Sequence, residues 1–185
     1  MRLRIELEGI APPVWRRLTL DNSATLARLH RVIQAAMGWG DDQHHAFQIG
    51  GRTYGIPQHQ TPQGRHLHDE GTTVVGRVLQ GVREFEYVYD FGDAWLHRVT
   101  VERGSRAAPE SIVHGFVEAG ERACPPEQSG GARGYQSFLD AWKADRKGKD
   151  VRAFLAWAGE DFDPERFDRP AANAALTRTA RWEEG

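Results

Sequence analysis

Cysteine is almost missing from this 185-residue chain, Cys124 being the only one. A single thiol excludes an internal disulfide framework and an all-thiolate zinc site, and it fits a reducing compartment. Lysine is nearly as scarce: Lys143, Lys147 and Lys149 are the only ones among 24 basic residues. A GC-rich genome explains that bias, and so does planar recognition of phosphate or carboxylate, which suits the guanidinium fork. Long apolar runs are absent, none nearing the roughly 18 residues that span a bilayer. The start, Met1-Arg2-Leu3-Arg4-Ile5-Glu6, alternates charge and apolar side chains, unlike a signal peptide. A cytoplasmic protein without a membrane partner is expected. Nor is there an excess of one charge: 24 basic and 26 acidic residues leave a formal −2. No net field therefore draws the whole molecule onto nucleic acid. Heptads, internal repeats and low-complexity tracts are missing too, which excludes a coiled coil and a solenoid.

What is present supports a folded core. Hydrophobic residues make up 39% of the chain, with six tryptophans. A chain of this length supports one sizeable core and no linker divides it, so residues 1–185 are expected to form a single domain. Leu3, Ile5 and Leu7 alternate with Arg4, Glu6 and Glu8, the period of a half-buried strand. Gly9 to Pro13 turns the chain, and Val14 to Leu20 returns as its partner. From Leu26 the period becomes helical through Leu29, Val32, Ile33, Ala36 and Met37, with Ser23 or Thr25 as N-cap and Gly38 as the stop. His44 to Ile49 and Arg52 to Tyr54 flank Gly50-Gly51 as a second hairpin.

Residues 55–71 read as a long surface loop and Val74 to Leu79 as a short helix. Glu84 to Tyr89 and Trp95 to Glu102 make a third hairpin, and 103–133 reads as mostly irregular. Helices are expected from Tyr135, over Val151 to Trp157, and over Pro170 to Trp182. Strands first and helices later argue for an α+β fold: an antiparallel sheet of three hairpins packed against an N-terminal helix and C-terminal helices.

The densest chemistry lies in Tyr89-Asp90-Phe91-Gly92-Asp93-Ala94-Trp95-Leu96-His97, with two carboxylates, an imidazole and three aromatics. Strand alternation from Asp93 puts Trp95, His97, Val99 and Val101 on its face. One reading has Asp90 and Asp93 capping the turn around Gly92, with His97 tied to a carboxylate or a carbonyl. The other makes Asp90, Asp93 and His97 candidates for a divalent metal or for proton transfer. Asp90-Phe91-Gly92 also matches the metal-holding tripeptide of protein kinases, but the Gly-rich loop, strand lysine and catalytic-loop aspartate are missing.

Cys124-Pro125-Pro126-Glu127, followed by Gly130-Gly131 and Gly134-Tyr135, restricts the backbone and then frees it. Such a shaped loop either crosses tightly over a sheet or places Glu127 in a site beside Tyr135. Cys124 reads as a small buried hydrophobe, since a nucleophile needs a nearby base. His44-His45, His59, His66, His68 and Asp69 offer metal-ligand side chains at loose spacing. Arg2, Arg4, Trp15, Arg16 and Arg17 form a candidate basic stripe with an aromatic platform for nucleic acid, unless the arginines pair with Glu6 and Glu8 across the hairpin.

Several segments in order, Pro12-Pro13-Val14-Trp15-Arg16-Arg17, Leu29-His30, Met37-Gly38-Trp39, His44 with Phe47, Tyr89 to Asp93 with Trp95 and His97, Ala123 to Glu127, and Phe162-Asp163-Pro164-Glu165, resemble the plasmid pRiA4b ORF-3-like family, sometimes labelled a transposon passenger protein of TnpR type. The resemblance implies a small α+β domain carried by genomes, plasmids and mobile elements, with no established activity. It does not imply recombinase chemistry, because the nucleophilic serine, its arginine set and a DNA-binding helix pair cannot be assembled here. Where many members carry cysteines near the Gly120 turn and after Pro-Pro-Glu, this chain has Val117 and Ser129, which argues against a thiolate metal site.

Three functions are compatible with these residues. The leading one is a non-enzymatic binding or accessory domain of a mobile element, its partner an unknown protein or nucleic acid. Its cleft would be formed by His44, Asp90, Asp93, Trp95, His97, Cys124, Glu127 and Tyr135. The second is a metal-dependent or acid-base enzyme using Asp90, Asp93, His97 and Glu127, with a divalent metal as the only cofactor entertained. The third is nucleic-acid binding through the Arg-rich opening hairpin.

Overall fold

The computed structural model describes residues 1–59, 61–102 and 115–181. Within them, eight strands form one sheet: β1 (Arg2–Leu7), β2 (Trp15–Thr19), β3 (His45–Ile49), β4 (Arg52–Gly55), β5 (His68–Asp69), β6 (Glu84–Tyr89), β7 (Trp95–Glu102) and β8 (Phe116–Glu121). Their order across the sheet is β5-β4-β3-β6-β7-β1-β2-β8. The helices are α1 (Leu26–Met37), α2 (Val75–Val78), α3 (Gly131–Ala144), α4 (Lys149–Ala158) and α5 (Arg169–Arg181). The fold is α+β, and the three expected hairpins are its body.

Strand alternation decides what each face carries. Leu3, Ile5 and Leu7 of β1, Phe85, Tyr87 and Tyr89 of β6, and Trp95 and Val99 of β7 are buried in one core with Leu26, Leu29, Val32 and Ile33 of α1. Thr25 caps that helix, its hydroxyl accepting the Arg28 N–H at 3.2 Å, and Gly38 ends it in the left-handed region at φ +95°. The other face is a solvated ladder of ion pairs. Arg2 meets Glu118 at 2.8 Å, Arg17 meets Glu102 at 2.9 Å, Arg4 meets Glu6 at 2.8 Å, and Arg98 pairs with Glu8.

Two strands depart from the expected pattern. β8 lies within the stretch read as irregular, because as an edge strand with a bulge opposite Arg17/Leu18 it buries only Val117 fully. β5 rises from the long loop and pairs parallel to β4 through two residues, too short for any period to register. The helix expected from Tyr135 starts four residues earlier, at Gly131. The irregular reading of 103–114 and the helix end at Trp182 lie outside the described residues.

The C-terminal helices form a second layer. Phe138 of α3 stacks on Phe154 of α4 with ring centroids 3.8 Å apart, and Tyr135 and Phe162 complete that aromatic cluster. α5 is fixed to the sheet edge by Asn173, which accepts the Val117 N–H at 2.9 Å and donates to its carbonyl at 3.0 Å. Among the described residues no helix is long and apolar enough to cross a membrane.

Candidate functional site

The residues singled out in the sequence do not share one cleft. His97 is 0% exposed under Trp39 and Tyr87. Its Nδ1 lies 3.3 Å from the Tyr87 carbonyl, and its Nε2 has no hydrogen-bond partner among the described residues. Burial lowers its pKa from 6.5 to about 4 against the opposing pull of the Tyr87 and Trp95 carbonyls. The ring is therefore neutral at physiological pH. Trp95 is sealed beside it.

Asp90 and Asp93 sit at the turn. Asp90 adopts φ +55° and accepts the N–H groups of Gly92 at 2.9 Å and Asp93 at 3.3 Å. Asp93 reaches the other way and accepts the Gly130 N–H at 3.3 Å. Glu127 accepts the Tyr89 hydroxyl at 2.5 Å and the Gly40 N–H at 3.3 Å. The Trp39 indole donates to the Pro125 carbonyl at 2.9 Å. These contacts fasten the 123–135 loop to the hairpin. Cys124 and Tyr135 lie behind it, and burial pushes both the thiol and the phenol above their usual ranges, so neither ionises near neutrality. Of the Arg-rich stripe, Arg2, Arg4 and Arg17 are neutralised by carboxylates, Trp15 lies under Arg4 with Cζ 4.1 Å from the ring centroid, and Arg16 faces the core.

His44, His45 and His59, three of the histidines offered by the sequence, line a cavity of about 440 Å³ together with His30, Asp41 and Glu70. His30 falls on the sheet-facing stripe of α1, one turn after Leu26. His45 begins β3 and points inward by the alternation that buries Phe47 and Ile49. Their rings stack with centroids 3.4 Å apart and planes 8° from parallel. Each is 4% exposed. Asp41 comes from the α1–β3 connection in the left-handed conformation, φ +64°, with its side chain 41% exposed. One ligand atom each from His30, Asp41 and His45 lies within 4.8 Å of the others.

Both imidazoles are oriented by hydrogen bonds. The Gln34 amide donates to the Tyr87 hydroxyl oxygen at 2.9 Å, leaving the hydroxyl proton for His30 Nδ1 at 2.8 Å. Neutral His30 then carries its own proton on Nε2 and donates it to Asp41 at 2.5 Å. His45 Nε2 is held by Glu70 at 2.7 Å. Glu70 is 5% exposed and its backbone is tied to both Gly55 and Ala27. Burial lowers the His30 pKa more than Asp41 raises it. Burial alone would raise Asp41, but the His30 hydrogen bond and the neighbouring His30, His45 and Arg31 bring it below the usual carboxylate value. Partial burial with His44 and His45 nearby lowers His59, whose ring stacks on His44 at 4.1 Å.

Two imidazoles and a carboxylate suit a divalent first-row metal, and this set recurs both in hydrolytic zinc sites and in non-haem iron sites. Ligand atoms about 2.0–2.1 Å from a tetrahedral ion stand roughly 3.3 Å apart. His30 Nε2 and Asp41 stand 2.5 Å apart and the His30 and His45 ring planes lie 8° from parallel, so an ion would require Asp41 to draw back and an imidazole to turn. Of the four central residues, His45 was offered by the sequence as a metal-ligand side chain and His30 appeared only within the Leu29-His30 motif, whereas Asp41 and Glu70 were missed. The available signal was a histidine and a glutamine one turn apart on an otherwise apolar helix face. His66 and His68 are exposed and do not line this cavity.

Comparison with known proteins gives a consistent assignment. The chain is 32% identical to "Uncharacterized protein y4hQ" of Sinorhizobium fredii (strain NBRC 101917 / NGR234), over 98% of this chain and 93% of that protein. A crystal structure titled as a protein of unknown function, MM3350 from Methanosarcina mazei Go1, superposes with a TM-score of 0.79 at 32% identity, covering 92% of this chain and 94% of that one. A profile described as plasmid pRiA4b ORF-3-like protein matches residues 1–171, and with that span matched the chain belongs to this family.

Proposed function

We propose that His30, Asp41 and His45 bind one divalent first-row metal ion and that the protein is a metal-dependent hydrolytic enzyme. The observation that carries this reading is the convergence of these three ligands within 4.8 Å at the wall of an open cavity. Three protein ligands with room beside them are the arrangement of a catalytic site, whereas structural zinc sites close the fourth position with protein. For His30 to ligate through Nε2 its proton would move to Nδ1 and be donated to the Tyr87 oxygen, as Glu70 would accept from His45 Nε2, and these contacts would hold the ligand imidazoles in orientation. An ion held there would supply Lewis acidity and an activated water near neutral pH. His59, held toward its neutral form across the cavity, is the proton acceptor.

A mobile-element accessory role without turnover uses the same site as a binding centre. The two readings share the metal and differ in chemistry. Tag-free protein stripped of metal and titrated with Co²⁺ is expected to develop visible absorption saturating at one equivalent, with Asp41→Asn failing to do so. The Zn²⁺-loaded protein is then assayed on chromogenic phosphoesters, carboxylic esters and amides. Turnover lost in Asp41→Asn supports the enzyme; saturable metal binding without turnover in any class favours the accessory role. No cobalt spectrum at all refutes both.

A further inference from the structure

A separate cavity of about 380 Å³ lies where the C-terminal turn of α1, the Cys124 segment and the start of α5 meet. It shares no lining residue with the histidine cavity. At its wall is Arg16, 1% exposed. Its Nε donates to the Ala36 carbonyl at 3.0 Å, and Nη1 donates to the carbonyls of Trp15 at 2.8 Å and Glu121 at 2.9 Å. The guanidinium rests on Phe167, with Cζ 3.9 Å from the ring centroid.

Every one of those acceptors is neutral. Among the described residues no carboxylate pairs with Arg16, and Nη2 makes no hydrogen bond. The negative end of α1, to which Ala36 belongs, offsets part of the charge, but a buried cation without an anion remains costly. Burial lowers the Arg16 pKa to about 10, which still leaves it charged at neutral pH.

Arg166 and Arg178 line the same cavity. Against three guanidiniums stands one carboxylate, Asp168, and it is engaged: it accepts the Ala171 N–H at 2.9 Å at the start of α5 and meets Arg166 at 3.5 Å. The remaining wall includes Met37, Phe167 and Ala172, which keeps the local dielectric low and strengthens attraction for an anion. Cys124 contributes a neutral thiol.

We infer that this cavity is a second binding site, for a phosphate group, with Arg16 as its buried anchor and Arg166 and Arg178 at its exposed side. The planar fork of arginine matches phosphate oxygens, and a bound phosphate supplies the counter-charge that Arg16 lacks. Inorganic phosphate and glycerol phosphate, titrated calorimetrically at constant ionic strength, separate a free phosphate site from one for phosphate monoesters. One-site binding of either is expected. The Arg166→Ala/Arg178→Ala double variant, changed at exposed positions that keep the fold, is expected to weaken it roughly tenfold or more. Arg16→Lys, which keeps the charge and loses the fork, weakens it too, with its unfolding midpoint measured alongside. Absence of saturable binding in both arms, or an unchanged affinity in the double variant, overturns the inference.

Discussion

Burial of His97 makes one defined contribution to how this protein responds to acid. The ring is completely buried and its pKa falls from 6.5 to about 4, so the unfolded chain binds a proton that the folded one refuses between those values. The penalty from this one ring is therefore absent above the unfolded pKa, grows as pH falls through 6.5, and is complete below about 4. At 1.36 kcal/mol per pKa unit, this one group removes about 3 kcal/mol in all, and about 2 kcal/mol between pH 7.5 and pH 5. His97→Asn keeps a donor near the Tyr87 carbonyl and removes the titration. Urea unfolding of both proteins at the two pH values isolates the effect. His97→Asn is less stable at pH 7.5 because it leaves a cavity, but its disadvantage shrinks by about 2 kcal/mol at pH 5. A difference that stays constant with pH refutes the assignment of His97 as a buried neutral ring.

Three further outcomes follow from the packing. Glu127→Ala strands the Tyr89 hydroxyl and the Gly40 N–H, and is expected to cost about 2 kcal/mol in urea unfolding. Phe138→Ala removes a buried ring stacked on Phe154 and is expected to cost about 3–5 kcal/mol, read from the same midpoint shift. Glu70→Gln leaves the His45 ligand atom in place but weakens its orientation, and lowers metal affinity by roughly 10–100-fold, measured by chelator competition.

The fold was legible where one face of an element is apolar. β1, β6 and β7 alternate cleanly, α1 carries a continuous stripe, and the Gly50-Gly51 step marks its hairpin. β8 was not legible because an edge strand covered by Asn173 and α5 needs little apolar alternation. β5 is two residues long. Parity correctly turned His97 inward, yet the loop that meets the hairpin through Asp93 and Glu127 shows only in three dimensions. The histidine cavity was hidden for a different reason. His30, Asp41, His45 and Glu70 meet only because α1 crosses over β3 and the loop after β5 returns beneath the start of that helix. Within α1, His30 simply occupies a place that an apolar residue would also fill.

If His30, Asp41 and His45 hold a metal ion, removing any one of them must lower zinc affinity. Tag-free, metal-stripped protein is titrated with Zn²⁺ against a chromophoric chelator, in parallel with Asp41→Asn and His45→Asn. One tight site is expected in the wild type, and in each variant a loss exceeding the roughly 10–100-fold carried by a supporting residue. Wild-type protein that fails to compete for Zn²⁺, or variants that compete equally well, would rule out a metal at these three residues.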